Sequence, residues 1–314
     1  MRTVLKTVLF LLLAFVVLAA LGATVIYVRG IPKYEPIKYE AKVEITPQRV
    51  ERGLKLVSML CYQCHYNEKT NKLTGRKMTE VDMFGEVNIL NITQHPEAGI
   101  GKWTDGELIV FLRTGLRPDG QYVPPYMVKV PNMSDEDVNS VIAFLRSDNA
   151  LVQADPTELP PSKPSFFAKF LSNIAFKPFP MPEKPIADPD TTNVIEWGKY
   201  MALYQLDCYS CHSKDFSTND FFEPEKSVGY FGGGNTMMDM EGNKVITKNI
   251  TPDKETGIGN WTEEQFVKAL KYGLVEGKPA LRYPMVPHTQ LTDNEAKAIY
   301  AFMKTVPPIV NKIE

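Results

Sequence analysis

Hydrophobic and polar positions follow three regimes along the chain. Residues 7–28 run without a charged side chain. As a helix this stretch reaches about 33 Å, the thickness of a bilayer's hydrocarbon core. Between 46 and 150 apolar residues return at three- and four-residue spacing: Val50, Leu54, Val57 and Leu60, then Leu108, Val110, Phe111 and Leu112, then Val138, Val141, Ile142 and Leu145. Start signals precede each run. Thr46 stands before Pro47, Thr104 forms a capping box with Glu107, and Ser134 pairs with Asp137. Between 191 and 314 the same order recurs, with a helix opening near Asn193 and caps at Thr262 with Gln265 and Thr292 with Glu295. The pattern predicts an all-α fold: two tandem three-helix units behind an N-terminal transmembrane helix. The divisions are 1–45 (anchor and tether), 46–150 (first unit), 151–190 (linker) and 191–314 (second unit). The linker holds nine of the 24 prolines and is stiff. Its apolar run, Phe166 to Phe176, is expected to pack between the units, with the membrane surface or a partner subunit as the alternative.

The first run also invites comparison with a cleaved signal peptide. Ala20-Leu21-Gly22-Ala23 is a weak cleavage site, and Val25 to Val28 carries the apolar stretch past it. A retained anchor fits better. Arg2 and Lys6 precede the span and Arg29, Lys33 and Lys38 follow it, so charge alone does not orient it.

Composition narrows the classes. The 314 residues carry 35 Lys and Arg against 37 Asp and Glu, a net charge of −2, with 44% hydrophobic residues. Such a chain is globular, and it lacks the basic field that nucleic-acid binding requires. Four cysteines and four histidines are few enough to weigh singly.

All four cysteines and two of the histidines fall in two motifs, Cys61-Tyr62-Gln63-Cys64-His65 and Cys208-Tyr209-Ser210-Cys211-His212. Cys-x-x-Cys-His is the attachment signal for c-type haem. Two thiols about one helical turn apart can each form a thioether with a haem vinyl group, and the adjacent His becomes an axial ligand of the iron. A zinc site leaves the fixed His after each pair unexplained. A thioredoxin-like pair lacks its βαβ context, and two three-residue disulfide loops fit poorly.

An internal repeat extends the assignment. Asn91-Ile92-Thr93 recurs 158 residues on as Asn249-Ile250-Thr251, and Gly99-Ile100-Gly101-Lys102-Trp103-Thr104 recurs as Gly257-Ile258-Gly259-Asn260-Trp261-Thr262. The Cys motifs are offset by 147, so the second copy gains a net 11 residues after its motif. At the 158 offset Met127 meets Met285, each in a Pro-rich irregular stretch. These are the expected sixth ligands, since Met is the usual partner of His in electron-transfer cytochromes. Met133 aligns with Leu291 and reads as core. His95 aligns with Asp253 and His288 with Val130, which makes both surface or loop residues, His288 remaining the runner-up ligand. Trp103 and Trp261 are core residues or donors to a haem propionate. Asn91, Asn132, Asn249 and Asn260 match the glycosylation sequon but read as turn residues. Gly53 and Gly198, with Phe144 and Phe302, suggest helix crossings where a ring covers a glycine.

These residues resemble a known family. The Cys208 motif, Gly232-Gly233-Gly234, Asn249-Ile250-Thr251-Pro252-Asp253, Gly257-Ile258-Gly259 and Pro284-Met285 are similar to the class I cytochrome c modules of membrane-bound bacterial alcohol and gluconate dehydrogenase cytochrome subunits. The first half is similar but more diverged. The resemblance covers about 46–150 and 191–314. It implies two tandem class I cytochrome c domains and two covalent haem c groups held by Cys61, Cys64, His65 and Met127, and by Cys208, Cys211, His212 and Met285. Those subunits typically hold three modules, and this chain holds two. The family attaches haem outside the cytoplasmic membrane, which implies periplasmic haem domains on a single-pass inner-membrane protein. The implied partners are a membrane dehydrogenase, or a terminal oxidase or reductase. With both axial positions filled the chain carries electrons and is no enzyme. A di-haem cytochrome c peroxidase is the alternative, and a haem sensor a third; a peroxidase needs a vacant distal side, which the matched Met127 and Met285 oppose.

Overall fold

The computed structural model describes residues 2–313. Helix α1, Arg2–Arg29, contains the charge-free run and is exposed along nearly all its length. Among the described residues it is the one helix long and apolar enough to cross a membrane.

The first half is built on α2 (Pro47–Leu60), the one-turn α3 (Tyr62–His65), α4 (Asp105–Thr114) and α5 (Asp135–Leu145). The expected caps form. Thr46 Oγ1 accepts from Arg49 N at 3.2 Å, Thr104 and Glu107 close a capping box, and Ser134 Oγ accepts from Asp137 N at 3.1 Å. Leu56, Val57, Leu108, Val138, Val141, Ile142 and Phe144 fill the core between α2, α4 and α5. Residues 31–45 do not hang free. Tyr34 N donates to Gly120 O at 2.9 Å and Val43 N to Asp105 Oδ2 at 2.9 Å, pinning the segment along this half.

The linker forms a helix of its own, α6 (Phe166–Ile174), capped by Ser165. It does not pack between the halves as the default expectation had it. Instead it lies against the end of α1 and the turn at Asp82–Phe84. Only later does the linker reach the second half, where the Phe179 ring sits 5.1 Å from that of Phe221 and 5.5 Å from that of Phe222.

The second half repeats the plan with α7 (Val194–Tyr200, running on into a π turn at Met201–Gln205), α8 (Cys208–His212), α9 (Glu263–Tyr272) and α10 (Asp293–Met303). Its core is separate, around Met201, Leu203, Phe231, Phe266, Leu270, Ile299, Phe302 and Met303. Both halves cross their first helix against their last at a glycine. A Cβ at Gly53 would fall 1.9 Å from the Ser140 carbonyl oxygen, and one at Gly198 would fall 1.8 Å from that of Ala298. The close crossings are as expected, but backbone carbonyls cover the glycines. At Gly53 the Phe144 Cβ follows at 2.7 Å, while at Gly198 the nearest atoms are all backbone of Ala298 and Ile299.

The helical cores carry small antiparallel ladders that the all-α expectation lacked. Strands β1 (Lys77–Met78), β2 (Gly85–Asn88) and β3 (Lys163–Pro164) form one sheet in that order, so the linker closes it; β4 (Thr236–Met238) and β5 (Lys244–Ile246) form a hairpin in the second half.

Polar contacts lock the halves together. Asp137, fully buried at the start of α5, accepts from Arg52 Nε at 2.5 Å, Tyr200 OH at 2.6 Å and Gln205 Nε2 at 2.6 Å. Arg52 also grips Asp188 with both terminal nitrogens at 2.8 Å. One turn further along α2, Lys55 pairs with Glu295 of α10, and Met59 packs against both cores. Arg52, Lys55 and Met59 share a helix face, so α2 serves the second half as well as its own.

Candidate functional site

Each Cys-x-x-Cys-His motif occupies one helical turn. Cys61 ends α2 and the rest of its motif is α3, while the second motif is α8. No disulfide joins the four cysteines. Burial pushes the thiols of Cys61, Cys208 and Cys211 up to about 12, and raises that of Cys64 as well. Thiols held protonated this way do not suit a thioredoxin-like redox pair, which needs a depressed thiol pKa. Among the described residues no three Cys, His, Asp or Glu side chains converge as they would around a zinc ion.

The two imidazoles are anchored alike. His65 Nδ1 lies 2.8 Å from Leu90 O, and His212 Nδ1 lies 2.7 Å from Lys248 O. A carbonyl only accepts, so each Nδ1 carries the proton and each Nε2 keeps its lone pair for a metal. Burial lowers His65 to about 4 and His212 below its usual value, favouring the neutral, ligating form. The carbonyls of the same residues accept from Gly75 N at 2.7 Å and Gly233 N at 2.6 Å. Gly75 and Gly233 have φ of +84° and +71°, and a Cβ at either would fall within 2.5 Å of backbone. Sequence reasoning assigned none of these anchors. Leu90 and Lys248 act through their carbonyls, so their side chains give no signal, yet both pairs keep the 158-residue offset. The 11 extra residues therefore lie between His212 and Gly233.

The Met loops lie against the motifs. Tyr126 shares a hydrophobic cluster with Cys64, Met78, Val87 and Ile89, while Met127, half-buried, donates its N–H to Pro124 O at 3.2 Å. Met285, also half-buried, packs on the same core as Cys208. Burial pushes the Tyr283 phenol, two residues before Met285, up to about 12. A buried cation ties down the far end of each loop. Arg113 donates to the carbonyls of Pro131 and Met133 at 2.9 Å each and to Asp135 at 2.6 Å; 158 residues on, Lys271 pairs with Asp293.

The remaining sequence candidates are occupied locally. Met133 and Leu291 are core. His95 Nδ1 accepts from Ala98 N at 3.0 Å, the turn bond that Asp253 makes to Thr256 N at 2.7 Å in the other half. His288 is half-buried and its N–H donates to Leu270 O at 2.9 Å. Trp103 packs edge-on against Phe111, and Trp261 lies on the second core. Asn91 and Asn249 each accept from the N–H two residues on, at 2.8 and 2.9 Å, as turn residues do.

Paired thiols one turn from an imidazole whose free nitrogen is already oriented fit a covalently held haem, twice over. A helical scaffold with this duplicated donor set has the features of a c-type cytochrome. Known proteins agree. The chain is 35% identical over 114 residues to the fructose dehydrogenase cytochrome subunit of Gluconobacter japonicus, covering 35% of this chain and 21% of that one. It is 26% identical over 239 residues to the cytochrome c subunit of alcohol dehydrogenase (quinone) of Gluconobacter oxydans, covering 72% and 48%. It is 28% identical over 261 residues to a diheme c-type cytochrome of Cereibacter sphaeroides, covering 79% and 82%. The chain thus spans about half or less of the length of the two dehydrogenase subunits. No protein-family model matches it.

Proposed function

We propose that the chain is a membrane-anchored di-haem cytochrome that relays single electrons. Residues 46–150 and 191–314 are its two class I cytochrome c domains, joined by the Pro-rich linker. Cys61 and Cys64, and Cys208 and Cys211, are the thioether residues. His65 and His212 are the proximal ligands, and Met127 and Met285 the distal ones. A haem held in each site supplies reversible one-electron chemistry, at a potential raised by Met ligation. The chain's own residues do the rest. Leu90 and Lys248 carbonyls orient the imidazoles, Gly75 and Gly233 let the backbone close over them, and Arg113 and Lys271 hold the Met loops.

The observation that carries this reading is the duplicated motif with an identically anchored imidazole, whose carbonyl anchors share the 158-residue offset of the duplicated Met. The cytochrome subunits among the relatives support electron transfer, and the diheme cytochrome supports the count of two. None of the relatives cited is named a peroxidase, and two filled axial positions leave no open site. The partners are a dehydrogenase, terminal oxidase or reductase of the bacterial inner membrane, with the haem domains on the periplasmic side. A potentiometric titration of the purified protein tests this. The expected result is two one-electron steps of a low-spin c-type α band. An absent α band, or rapid turnover of hydrogen peroxide, overturns it.

A further inference from the structure

We propose that α6 is a second membrane-contacting element, lying in the bilayer interface beside the exit of α1 with its phenylalanine face against lipid. This rests on the reading of α1 as an anchor. The two faces of α6 differ sharply. Ala168 and Ser172, four residues apart, are fully buried, whereas Phe166, Phe167, Phe170 and Ile174 are 45%, 42%, 37% and 56% exposed. Those four fall on one side of the helix, and the Phe166 and Phe170 rings stack at 6.1 Å. Met83, 60% exposed, adjoins them, its carbonyl accepting from Ser165 Oγ at 2.6 Å. Burying one large apolar side chain is worth about 1.5–3 kcal/mol, so leaving this face in water is costly.

The contact with α1 determines what covers the face. Lys169 Nζ lies 4.1 Å from the centre of the Tyr27 ring and donates to Tyr27 O at 3.3 Å, and Asn173 Nδ2 donates to Gly30 O at 2.9 Å. Along α1, Ala23, Ile26 and Gly30 are half-covered while Val25, Tyr27 and Val28 remain open. Tyr27 to Gly30 is where the charge-free run ends at Arg29, which is the depth of the bilayer interface. An aromatic face with the exposed Lys177 just beyond its end suits that depth, because rings favour the headgroup boundary and a lysine ammonium reaches out to water. The lipid surface that surrounds Tyr27 is therefore continuous with the open face of α6. The Phe84 ring, 6.4 Å from Phe167 and 5.8 Å from Tyr126, connects this face to the cluster holding Cys64. The first attachment motif thus sits one aromatic layer above the lipid.

The test uses the full-length haem-loaded protein in nanodiscs of phosphatidylethanolamine and phosphatidylglycerol doped with a diazirine-bearing phospholipid. After photolysis, adducts are mapped by peptide mass spectrometry. The expected result is labelling of both α1 and the Phe166–Ile174 peptide. In the double variant Phe166→Ser, Phe170→Ser the α6 adducts should fall about fivefold, with α1 labelling and the haem spectrum unchanged. Ile174→Ser, at the exposed end of the helix, gives the same comparison if the double variant misfolds. Labelled α1 with unlabelled α6, or α6 labelling indifferent to both variants, overturns the proposal while leaving the anchor intact. Absence of label on α1 overturns the anchor reading, and this inference with it.

Discussion

At the end of α4, Arg113 spreads its guanidinium over the carbonyls of Pro131 and Met133 and the carboxylate of Asp135; at the equivalent point of α9, Lys271 pairs with Asp293 and lies over the Tyr272 ring. The halves differ likewise just before their haem-attachment motifs. Leu60 precedes Cys61, whereas Asp207 precedes Cys208 with φ of +51°. Around the imidazoles they agree: the carbonyl anchors, the positive-φ glycines and the glycine crossings all recur. The difference teaches that duplication has kept the backbone geometry that orients the imidazole and let the charges around it drift. A planar fork satisfies several acceptors at once, and an ammonium does so less well. The first half therefore holds its Met loop more firmly, and the second carries a titratable acid beside its motif.

Cutting the halves apart should have the largest effect. Asp137→Ala leaves Arg52, Tyr200 and Gln205 without their shared acceptor at a buried interface, and should cost about 3–5 kcal/mol. Thermal unfolding followed at both haems should split from one transition into two; a single unshifted transition would show that the halves do not support each other. Next come the crossings. Gly53→Ala and Gly198→Ala each force a Cβ onto a carbonyl oxygen, and each should destabilise its own half by about 3 kcal/mol. Denaturation read haem by haem checks this, and equal loss in both halves from either change would contradict the separate cores.

Asp207 sharpens the contrast through pH. Burial pushes its carboxyl up to about 7, against the help of Ser210 and Tyr209. The folded state then binds more protons than the unfolded one between the ordinary carboxylate range and pH 7. Stability of the second half should fall as pH rises through that window and level off above it. Asp207→Asn should flatten the curve and gain about 2 kcal/mol at pH 8 by urea denaturation, while the first half, with Leu60 there, is unmoved. The smallest effect is expected from Arg113→Lys, which makes the first half imitate the second. A cost of about 1 kcal/mol, with faster carbon monoxide binding at one haem only, is the predicted outcome. Unchanged carbon monoxide kinetics would remove Arg113 from the control of the Met127 loop.

Much of this was legible before any coordinates. Thr46, Thr104, Ser134, Thr262 and Thr292 mark helix starts because a side-chain oxygen meets an unpaired N–H there whatever lies around it. The repeat made up for one copy's weak signals with the other's. Less was legible where the determinant is backbone or distant. The carbonyls of Leu90 and Lys248 have no sequence signature. The ladders of β1–β3 and β4–β5 are two to four residues long, too short for alternation to register. The apolar run of α6 was visible, but its partner was not, since Lys169 and Asn173 meet Tyr27 and Gly30 across about 140 positions of chain.

The central claim is two haems covalently attached to one polypeptide. Intact-protein mass spectrometry under denaturing conditions tests it directly. The account predicts the polypeptide mass plus two haem groups, falling to one in Cys61→Ala, Cys64→Ala and to the other in Cys208→Ala, Cys211→Ala. A mass equal to the bare polypeptide, or a single haem in the unaltered chain, would contradict it.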